Sequence, residues 1–150
     1  MSNMKRIILV STAVVLALLA ACSGGCGTTA PSDQPGTKVR VEGGGYYLDI
    51  MPEQLYAMLA KKGFLLVNTE SSESISEIEG TDLFIKAEEF GQNMDILPAD
   101  KSAKIVLYCI TGEKSKDVAA AMVKAGYTHV MHLAGGLAAW TYYCEDSWAW

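Results

Sequence analysis

The sequence predicts an α/β fold in which helices flank a central parallel sheet of about five strands. From residue 46 onward, short apolar runs alternate with segments of helical periodicity, which is the pattern of repeated strand–helix units. The run 104–108 is β-branched and apolar without alternation, as expected of a central strand covered on both faces. A chain of 150 residues has room for one ordinary domain of roughly 100 to 150 residues.

The first half of this domain is predicted to contain three strands and one helix. The strands are expected over residues 46–49, 64–67 and 83–85. The helix is expected to begin at Pro52, since proline suits the first helical position, and to end at Gly63 after two lysines. The polar, acidic stretch between the second and third strands predicts a loop.

The second half contains the clearest strand and the clearest helix. Strand 104–108 is followed by a helix over 115–125, in which apolar residues recur at helical spacing. A segment of moderate helical character over 86–93 precedes this strand, and a strand over 129–131 and a helix over 136–141 follow the longer helix. These elements complete the alternation that an α/β sheet requires.

The first 21 residues have the composition of an export signal and are excluded from the fold. Lys5 and Arg6 form a basic region, and the apolar stretch behind them, about 15 residues, is short for the roughly 20 of a membrane-spanning helix. Residues 19–22, Leu-Ala-Ala-Cys, resemble the bacterial lipobox, which implies a diacylglyceryl thioether on Cys22 and cleavage before it. An ordinary cleaved signal and an uncleaved anchor are the alternatives, and neither needs a cysteine at this step.

Residues 22–45 are rich in glycine, serine, threonine and proline, a composition that predicts a flexible tether. The predicted organisation is a signal peptide over 1–21, this tether, a domain over 46–144 and a tail over 145–150. The lipid anchor implies an exported protein held on the periplasmic or extracytoplasmic face of a bacterial membrane. Ser23 follows the modified cysteine, and the resemblance implies that a residue other than aspartate at this position favours the outer membrane where a cell has two.

The charge of the chain argues against nucleic acid as a partner. The formal charge is −5 at pH 7, and cleavage of the signal, which removes Lys5 and Arg6 but no acidic residue, makes it −7. A nucleic-acid-binding protein needs a basic face. We therefore expect partners of another chemical class.

A cysteine stands at the carboxyl end of the predicted central strand, in the segment Cys109-Ile110-Thr111-Gly112-Glu113-Lys114-Ser115. Ligands bind at this edge of open α/β sheets, and a tight loop leading into a helix aims several backbone N–H groups at one point. Such a cradle favours negative charge, and therefore the thiolate form of Cys109 that attacks sulfur. Lys114 adds a positive charge nearby, which Glu113 partly opposes. This segment is the candidate site.

Three features of residues 105–140 occur together. A strand ends in Tyr-Cys at 108–109, Gly112 is third after the cysteine, and residues 126–140 carry Gly-Tyr-Thr followed by Leu-x-Gly-Gly-x-x-x-Trp. In combination they closely resemble the C-terminal half of rhodanese-like domains, and the resemblance extends back to about Asp49. It implies a single rhodanese-like domain, and we expect Trp140 in its core.

The resemblance implies a sulfurtransferase in which Cys109 attacks the outer sulfur of a donor and carries that sulfur as a persulfide. The expected donors are thiosulfate, a polysulfide or a low-molecular-weight persulfide, and the expected acceptors are cyanide, a thiol or a protein. No metal or organic cofactor is required. The negative charge on the transferred sulfur is expected to be stabilised by the backbone amides of Ile110, Thr111, Gly112, Glu113, Lys114 and Ser115.

Two departures from the family pattern bear on the activity. Relatives often carry arginine in the loop, whereas Lys114 is the only cation of the loop in this chain. Lysine lacks the planar guanidinium group with which arginine binds an anion through two parallel hydrogen bonds. This difference favours persulfides over thiosulfate as donors. Many relatives read Asp-Val-Arg after the second strand, where this chain reads Asn68-Thr69-Glu70. The second change is expected to remove an acidic residue that often supports the loop.

Cys109 has other interpretations. It could be a buried structural cysteine, or a slow or regulatory residue in an intact fold. It could also be dispensable, in a binding or redox-sensing module on the cell envelope. A phosphatase with a related cysteine loop needs an arginine where this chain has Ser115. Lys114 could be only the basic start of a solvated helix, and Glu113 is expected to be exposed.

The remaining cysteines and the histidines give weaker signals. Cys26 and Cys144 could form a disulfide in an exported protein, and Cys144 could instead resolve an oxidised or persulfidated Cys109. His129 and His132 form no metal-ligand constellation. Both histidines are expected on the surface of a strand.

Overall fold

The computed structural model describes residues 35–72 and 76–147. In this part of the chain six strands form one sheet in the order β1-β2-β6-β5-β3-β4. The five strands from β2 to β6 pair with one another in parallel, which confirms the predicted parallel sheet. Strand β1 extends this sheet by one strand, antiparallel to β2. The strands are β1 (Thr37–Arg40), β2 (Tyr46–Ile50), β3 (Leu65–Asn68), β4 (Leu83–Phe84), β5 (Ile105–Tyr108) and β6 (Val130–Leu133).

Strand β1 lies in the segment that composition assigned to the tether. Thr37 to Arg40 pair in register with Asp49 to Tyr46, and only Val39 of this strand packs against the core. The three glycines that suggested flexibility form the hairpin turn between β1 and β2: all have positive φ, and the N–H of Val41 donates to the carbonyl of Gly45 at 3.2 Å. The glycine-rich composition therefore encodes a turn here, and ordered chain begins earlier than predicted.

Helices cover both faces of the sheet. They are α1 (Pro52–Leu59), α2 (Glu113–Lys124) and α3 (Gly136–Ser147), and the segment of moderate helical character forms a 3-10 helix over Ala87–Gln92, followed by another over Met94–Ile96. Helix α3 runs well past residue 141, because no proline or glycine interrupts it, and so includes the beginning of the predicted tail.

The core has two parts, one on each face of the sheet. Leu107, Val118 and Met122 belong to the face that α2 covers. Val106 and Tyr108 belong to the other face, where Trp140 of α3 packs as the sequence predicts. Because strand β5 is buried on both faces, the loop that follows it is anchored on a rigid base.

The export signal, the proposed lipidation site Cys22 and Cys26 lie outside the described residues. Among the helices that the structure does describe, none is long and apolar enough to cross a membrane.

Candidate active site

Cys109 follows β5 directly and is almost completely buried, with 1% of the residue exposed. The chain then turns through Ile110, Thr111 and Gly112 into α2, and Gly112 adopts a φ of +89°, which suits glycine. The N–H of Gly112 donates to Cys109 Sγ at 3.1 Å, and Ser115 Oγ lies 3.6 Å from the same sulfur. Two donors of the predicted segment therefore face the sulfur.

The first turn of α2 also begins at this loop. The first intrahelical bond runs from the N–H of Lys116 to the carbonyl of Gly112 at 3.1 Å. The amides of Glu113, Lys114 and Ser115 precede it and have no acceptor within the helix, so they contribute the positive end of the helix dipole. Negative charge on Cys109 sulfur is stabilised by this arrangement.

The amide of Ile110 does not face the sulfur. It donates instead to Glu70 Oε2 at 3.2 Å. Ile110 is half-buried, while Thr111 and Glu113 are exposed, as the sequence predicts for Glu113. Of the predicted cradle, the amide of Gly112 donates to the sulfur. Ile110 has a different role, which is to tie the loop to the segment that follows strand β3.

The amino end of α3 supports the loop from the other side. The N–H of Leu137 donates to the carbonyl of Cys109 at 2.8 Å, and that of Ala138 donates to the carbonyl of Ile110 at 3.0 Å. Gly136 makes this approach possible, because a Cβ there would lie 2.3 Å from the carbonyl oxygen of Cys109. The close contact fixes the loop between two helix termini.

Glu70 corrects one expectation from the sequence. The loss of aspartate at position 68 was expected to leave the loop without an acidic partner, but the buried Glu70 carboxylate supplies one. It accepts the N–H of Ile110, the N–H of Ser71 at 2.9 Å and the Lys114 ammonium at 2.6 Å. Asn68 assists, since its Oδ1 accepts the N–H of Glu70 at 3.0 Å. Burial alone would raise the pKa of Glu70, but the hydrogen bonds from Lys114, Ser71 and Ile110 outweigh it and hold the pKa below its usual value.

Lys114 is held in place, so the interpretation of a merely solvated helix start is wrong. Its ammonium group contacts Glu70 Oε1, donates to Ser71 Oγ at 2.5 Å and lies 3.8 Å from Glu88 Oε1. The hydrogen bond to Glu70 raises the pKa of Lys114, and the charges of Glu88 and of Cys109 act in the same direction. The only cation of the loop is therefore charged but already paired.

His132 corrects a second expectation. It was predicted on a strand surface, yet only 4% of it is exposed. Asp49 of β2 is its direct partner in the parallel pairing of β2 with β6, and His132 Nδ1 lies 2.8 Å from Asp49 Oδ1. Its Nε2 lies 2.8 Å from the carbonyl oxygen of Gly112. His129, by contrast, is half-buried and contacts Thr128 Oγ1 at 3.0 Å.

Cys144 lies on α3, half-buried, and has a free thiol. Burial raises the pKa of this thiol, which makes it less reactive than an ordinary cysteine at neutral pH. A disulfide between Cys144 and Cys26, and the resolution of an oxidised or persulfidated Cys109 by Cys144, stay predictions.

Comparison with known families decides where the chain belongs. The model of the rhodanese-like domain matches residues 48–142, close to the domain predicted from the sequence. The chain belongs to the rhodanese-like domain family. A 67-residue stretch is 42% identical to the probable adenylyltransferase/sulfurtransferase MoeZ of Mycobacterium tuberculosis. It covers 44% of this chain and only 17% of that relative, so the rhodanese-like chain corresponds to a small part of it.

Solved structures agree on the rhodanese fold. A rhodanese-related protein from Thermoplasma volcanium has a TM-score of 0.55 at 20% identity over 63% of this chain and 91% of its own. The human single-domain sulfurtransferase TSTD1 has a TM-score of 0.57 at 20% identity over 63% of this chain and 95% of its own. At this identity the likeness establishes the fold alone.

Proposed function

We propose that this domain is a sulfurtransferase in which Cys109 accepts a sulfane sulfur as a persulfide and passes it to a thiophilic acceptor. The observation that carries the proposal is the placement of Cys109 Sγ, which receives the Gly112 N–H at 3.1 Å at the amino end of α2. A thiolate and a persulfide anion are both stabilised by such donors. Membership of the rhodanese-like family supports the same reaction class.

The transfer consists of two displacements at sulfur. The Cys109 thiolate attacks the outer sulfur of a donor persulfide, a new S–S bond forms, and the donor thiolate leaves with the electron pair of the broken S–S bond. An acceptor thiolate or cyanide then attacks the outer sulfur of the Cys109 persulfide, and the Cys109 thiolate is released. Each step exchanges one S–S bond for another bond to sulfur, so no external oxidant or reductant is consumed.

The state of Lys114 favours persulfides or polysulfides over thiosulfate as donors. Thiosulfate carries two negative charges and needs a cation that is free to bind it. Lys114 is already paired with Glu70, bonded to Ser71 and close to Glu88. A singly charged persulfide needs no free cation, since backbone N–H donors can stabilise its charge.

The test of this function is a mass measurement on Cys109. After incubation with glutathione persulfide or polysulfide, the peptide containing Cys109 should gain about 32 Da, the mass of one sulfur atom, and cyanide should remove it as thiocyanate. Cys109→Ser should show neither change, whereas Cys144→Ser should behave as wild type. The proposal fails if wild type stays unmodified with thiosulfate, polysulfide and glutathione persulfide alike.

A second candidate function follows from the burial of Cys109. With 1% of the residue exposed, the thiol is poorly accessible to large donors, which favours a binding or redox-sensing module of the same fold. In that case Cys109→Ser would retain the function of the protein in cells. The mass measurement separates the two functions, because a module of this kind accumulates no persulfide on the addition of a donor.

We also propose that the domain acts outside the cytoplasm, tethered through a lipid on Cys22. The support is the lipobox-like sequence at residues 19–22. Two or more acyl chains hold a protein stably on a membrane. Full-length protein expressed in bacteria should therefore partition into the detergent phase, and Cys22→Ser should move it to the aqueous phase. Cys26→Ser is the matched control and should leave the partition unchanged; an aqueous wild type would contradict the anchor.

A further inference from the structure

His132 lies beneath the site loop between two hydrogen-bond acceptors. Its Nε2 is 2.8 Å from the carbonyl oxygen of Gly112, and its Nδ1 is 2.8 Å from Asp49 Oδ1. A carbonyl oxygen only accepts, so Nε2 must carry a hydrogen. An ionised carboxylate also only accepts, so a proton must lie between Nδ1 and Asp49 for both bonds to form. Both hydrogen bonds are therefore satisfied together only when Nε2 carries a hydrogen and a further proton is shared between Nδ1 and Asp49.

Removal of that proton would break one of the two bonds. If Nε2 kept its hydrogen, the lone pair of Nδ1 would face the Asp49 carboxylate. If the hydrogen moved to Nδ1, the lone pair of Nε2 would face the carbonyl of Gly112. The contact with Gly112 is buried, so water is poorly placed to relieve the repulsion there, whereas the Asp49 side chain is 34% exposed.

Gly112 connects this pair to the sulfur. Its N–H donates to Cys109 Sγ at 3.1 Å, while its carbonyl receives His132 on the opposite side. A side chain at this position would crowd the contact, because a Cβ there would lie 3.2 Å from His132 Nε2 and 3.2 Å from the amide nitrogen of Gly135. The position of His132 therefore helps to set the direction of the Gly112 N–H.

Ser115 provides a second connection. Its hydroxyl has one hydrogen and two acceptors within reach, the carbonyl oxygen of Gly112 at 3.1 Å and Cys109 Sγ at 3.6 Å. The carbonyl oxygen has two lone pairs, and the N–H of Lys116 and His132 Nε2 already approach it at 3.1 and 2.8 Å. When Lys116 and His132 occupy these lone pairs, the Ser115 hydroxyl is free to turn its hydrogen towards the sulfur.

We propose that His132, paired with Asp49, is a positioning residue for Cys109. It acts through Gly112 and Ser115, so that both donate to the sulfur and stabilise its negative charge as thiolate and as persulfide. The consequence for sulfur transfer rests on the proposed function, whereas the effect on the thiolate can be measured without any sulfur donor.

Other titratable groups surround the pair. Tyr47 of β2 packs edge-on against His132 with ring centroids 6.1 Å apart, and burial, together with Asp49 and then Asp117 of α2, raises the pKa of this phenol. Tyr47 is therefore neutral at physiological pH. In the loop after β5, Cys109 is the other titratable residue connected to the pair, because its sulfur accepts the N–H of Gly112. Asp49 thus supplies the negative charge in direct contact with His132.

The test is the rate at which iodoacetamide alkylates Cys109 as a function of pH, followed on the Cys109 peptide of the full-length protein. His132→Phe displaces the Gly112 donor without removing it, so we expect less than the full loss of a hydrogen bond to a charged group. The variant should slow alkylation at pH 7 about 5-fold and shift the midpoint of the profile upward by about 0.7, which corresponds to about 1 kcal/mol. His132→Gln keeps a donor for Gly112 and should recover part of the loss. Asp49→Asn should resemble His132→Phe, and His129→Asn, on the other histidine, should match wild type.

A double mutant separates positioning from general destabilisation. If His132 acts through Ser115, the combined effect of His132→Phe and Ser115→Ala on the alkylation rate should be smaller than the product of the single effects. A full product, or an alkylation profile that His132→Phe and His132→Gln leave unchanged, would overturn the proposal. If the His132 variants shift the alkylation profile but wild type forms no persulfide, the positioning role stands and the sulfurtransferase proposal fails. If wild type forms the persulfide but the His132 variants leave the profile unchanged, the sulfurtransferase proposal stands and the positioning role fails.

Discussion

Replacement of Gly136 by alanine is expected to lower the free energy of unfolding by at least about 2 kcal/mol and to slow persulfide formation on Cys109 more than about 10-fold. The added Cβ would lie 2.3 Å from the carbonyl oxygen of Cys109, 2.6 Å from the nitrogen of Gly112 and 2.7 Å from the carbonyl oxygen of Ile110. All three atoms belong to the backbone of the site loop, so none can swing away as the end of a side chain does. The loop must move, and the donor that faces the sulfur moves with it.

Gly43→Ala is the matched control for this substitution. Gly43 also has a positive φ, +95°, but an added Cβ there would have nothing within 4 Å. It should therefore cost only the conformational penalty of about 1 kcal/mol and leave persulfide formation unchanged. Urea unfolding gives the stabilities, and the mass measurement on Cys109 gives the rates. Equal losses in the two variants would show that the close approach of α3 to the loop is unimportant.

The strand that precedes Cys109 and the helix that follows it were predictable because both depend on local patterns. The uninterrupted apolar run before Cys109 forms β5, buried along its whole length, and the helical spacing after it forms α2. Helix α2 begins at Glu113 rather than Ser115, because Gly112 adopts the left-handed conformation at the helix start. Sequence patterns therefore placed Cys109 between its strand and its helix to within two residues of the observed helix start.

Composition was a poor guide to where ordered chain begins. Glycine, threonine and proline suggested a tether up to residue 45, but β1 and its glycine turn are part of the sheet. Four residues with one inward-facing valine carry little periodic signal. What stabilises β1 is the row of hydrogen bonds to β2, a partner that composition does not reveal.

The residues that support the loop were missed because they act across the sheet. Glu70, two residues after β3, contacts Ile110 and Lys114, from which it is separated by 40 and 44 positions in the chain. Asp49 reaches His132 across 83 positions. One signal was available: both acidic residues lie at or just after the carboxyl ends of predicted strands, and such ends meet at one edge of a parallel sheet. Applied to β2, β3 and β6 together, this rule would have brought Asp49, Glu70 and His132 close to Cys109.

Glu70→Gln is expected to lower the free energy of unfolding at pH 7 by about 2 kcal/mol, since hydrogen bonds to charged groups contribute roughly 1.5 to 3 kcal/mol. The amide can still accept one N–H, but it no longer neutralises Lys114 or accepts strongly at both oxygens. The loop between Glu70 and the amino end of α2 should loosen, and persulfide formation on Cys109 should slow. Glu88→Gln is the matched control, because Glu88 is exposed and lies 3.8 Å from Lys114. It accepts the Ser71 hydroxyl at 2.6 Å, which a glutamine oxygen can also do, so the variant should leave the stability nearly unchanged.

The pH dependence of this difference tests its electrostatic origin. The pKa of Glu70 is lower in the folded protein than in the unfolded chain, where a glutamate titrates at about 4.3. Its contribution to stability is therefore fully present above that value and is lost as the pH falls through the folded pKa. Urea unfolding of wild type and Glu70→Gln should give a constant difference from pH 8 down to about 5, which shrinks below about 4. A difference that persists unchanged at pH 3 would mean that Glu70 stabilises the loop through packing rather than through its charge.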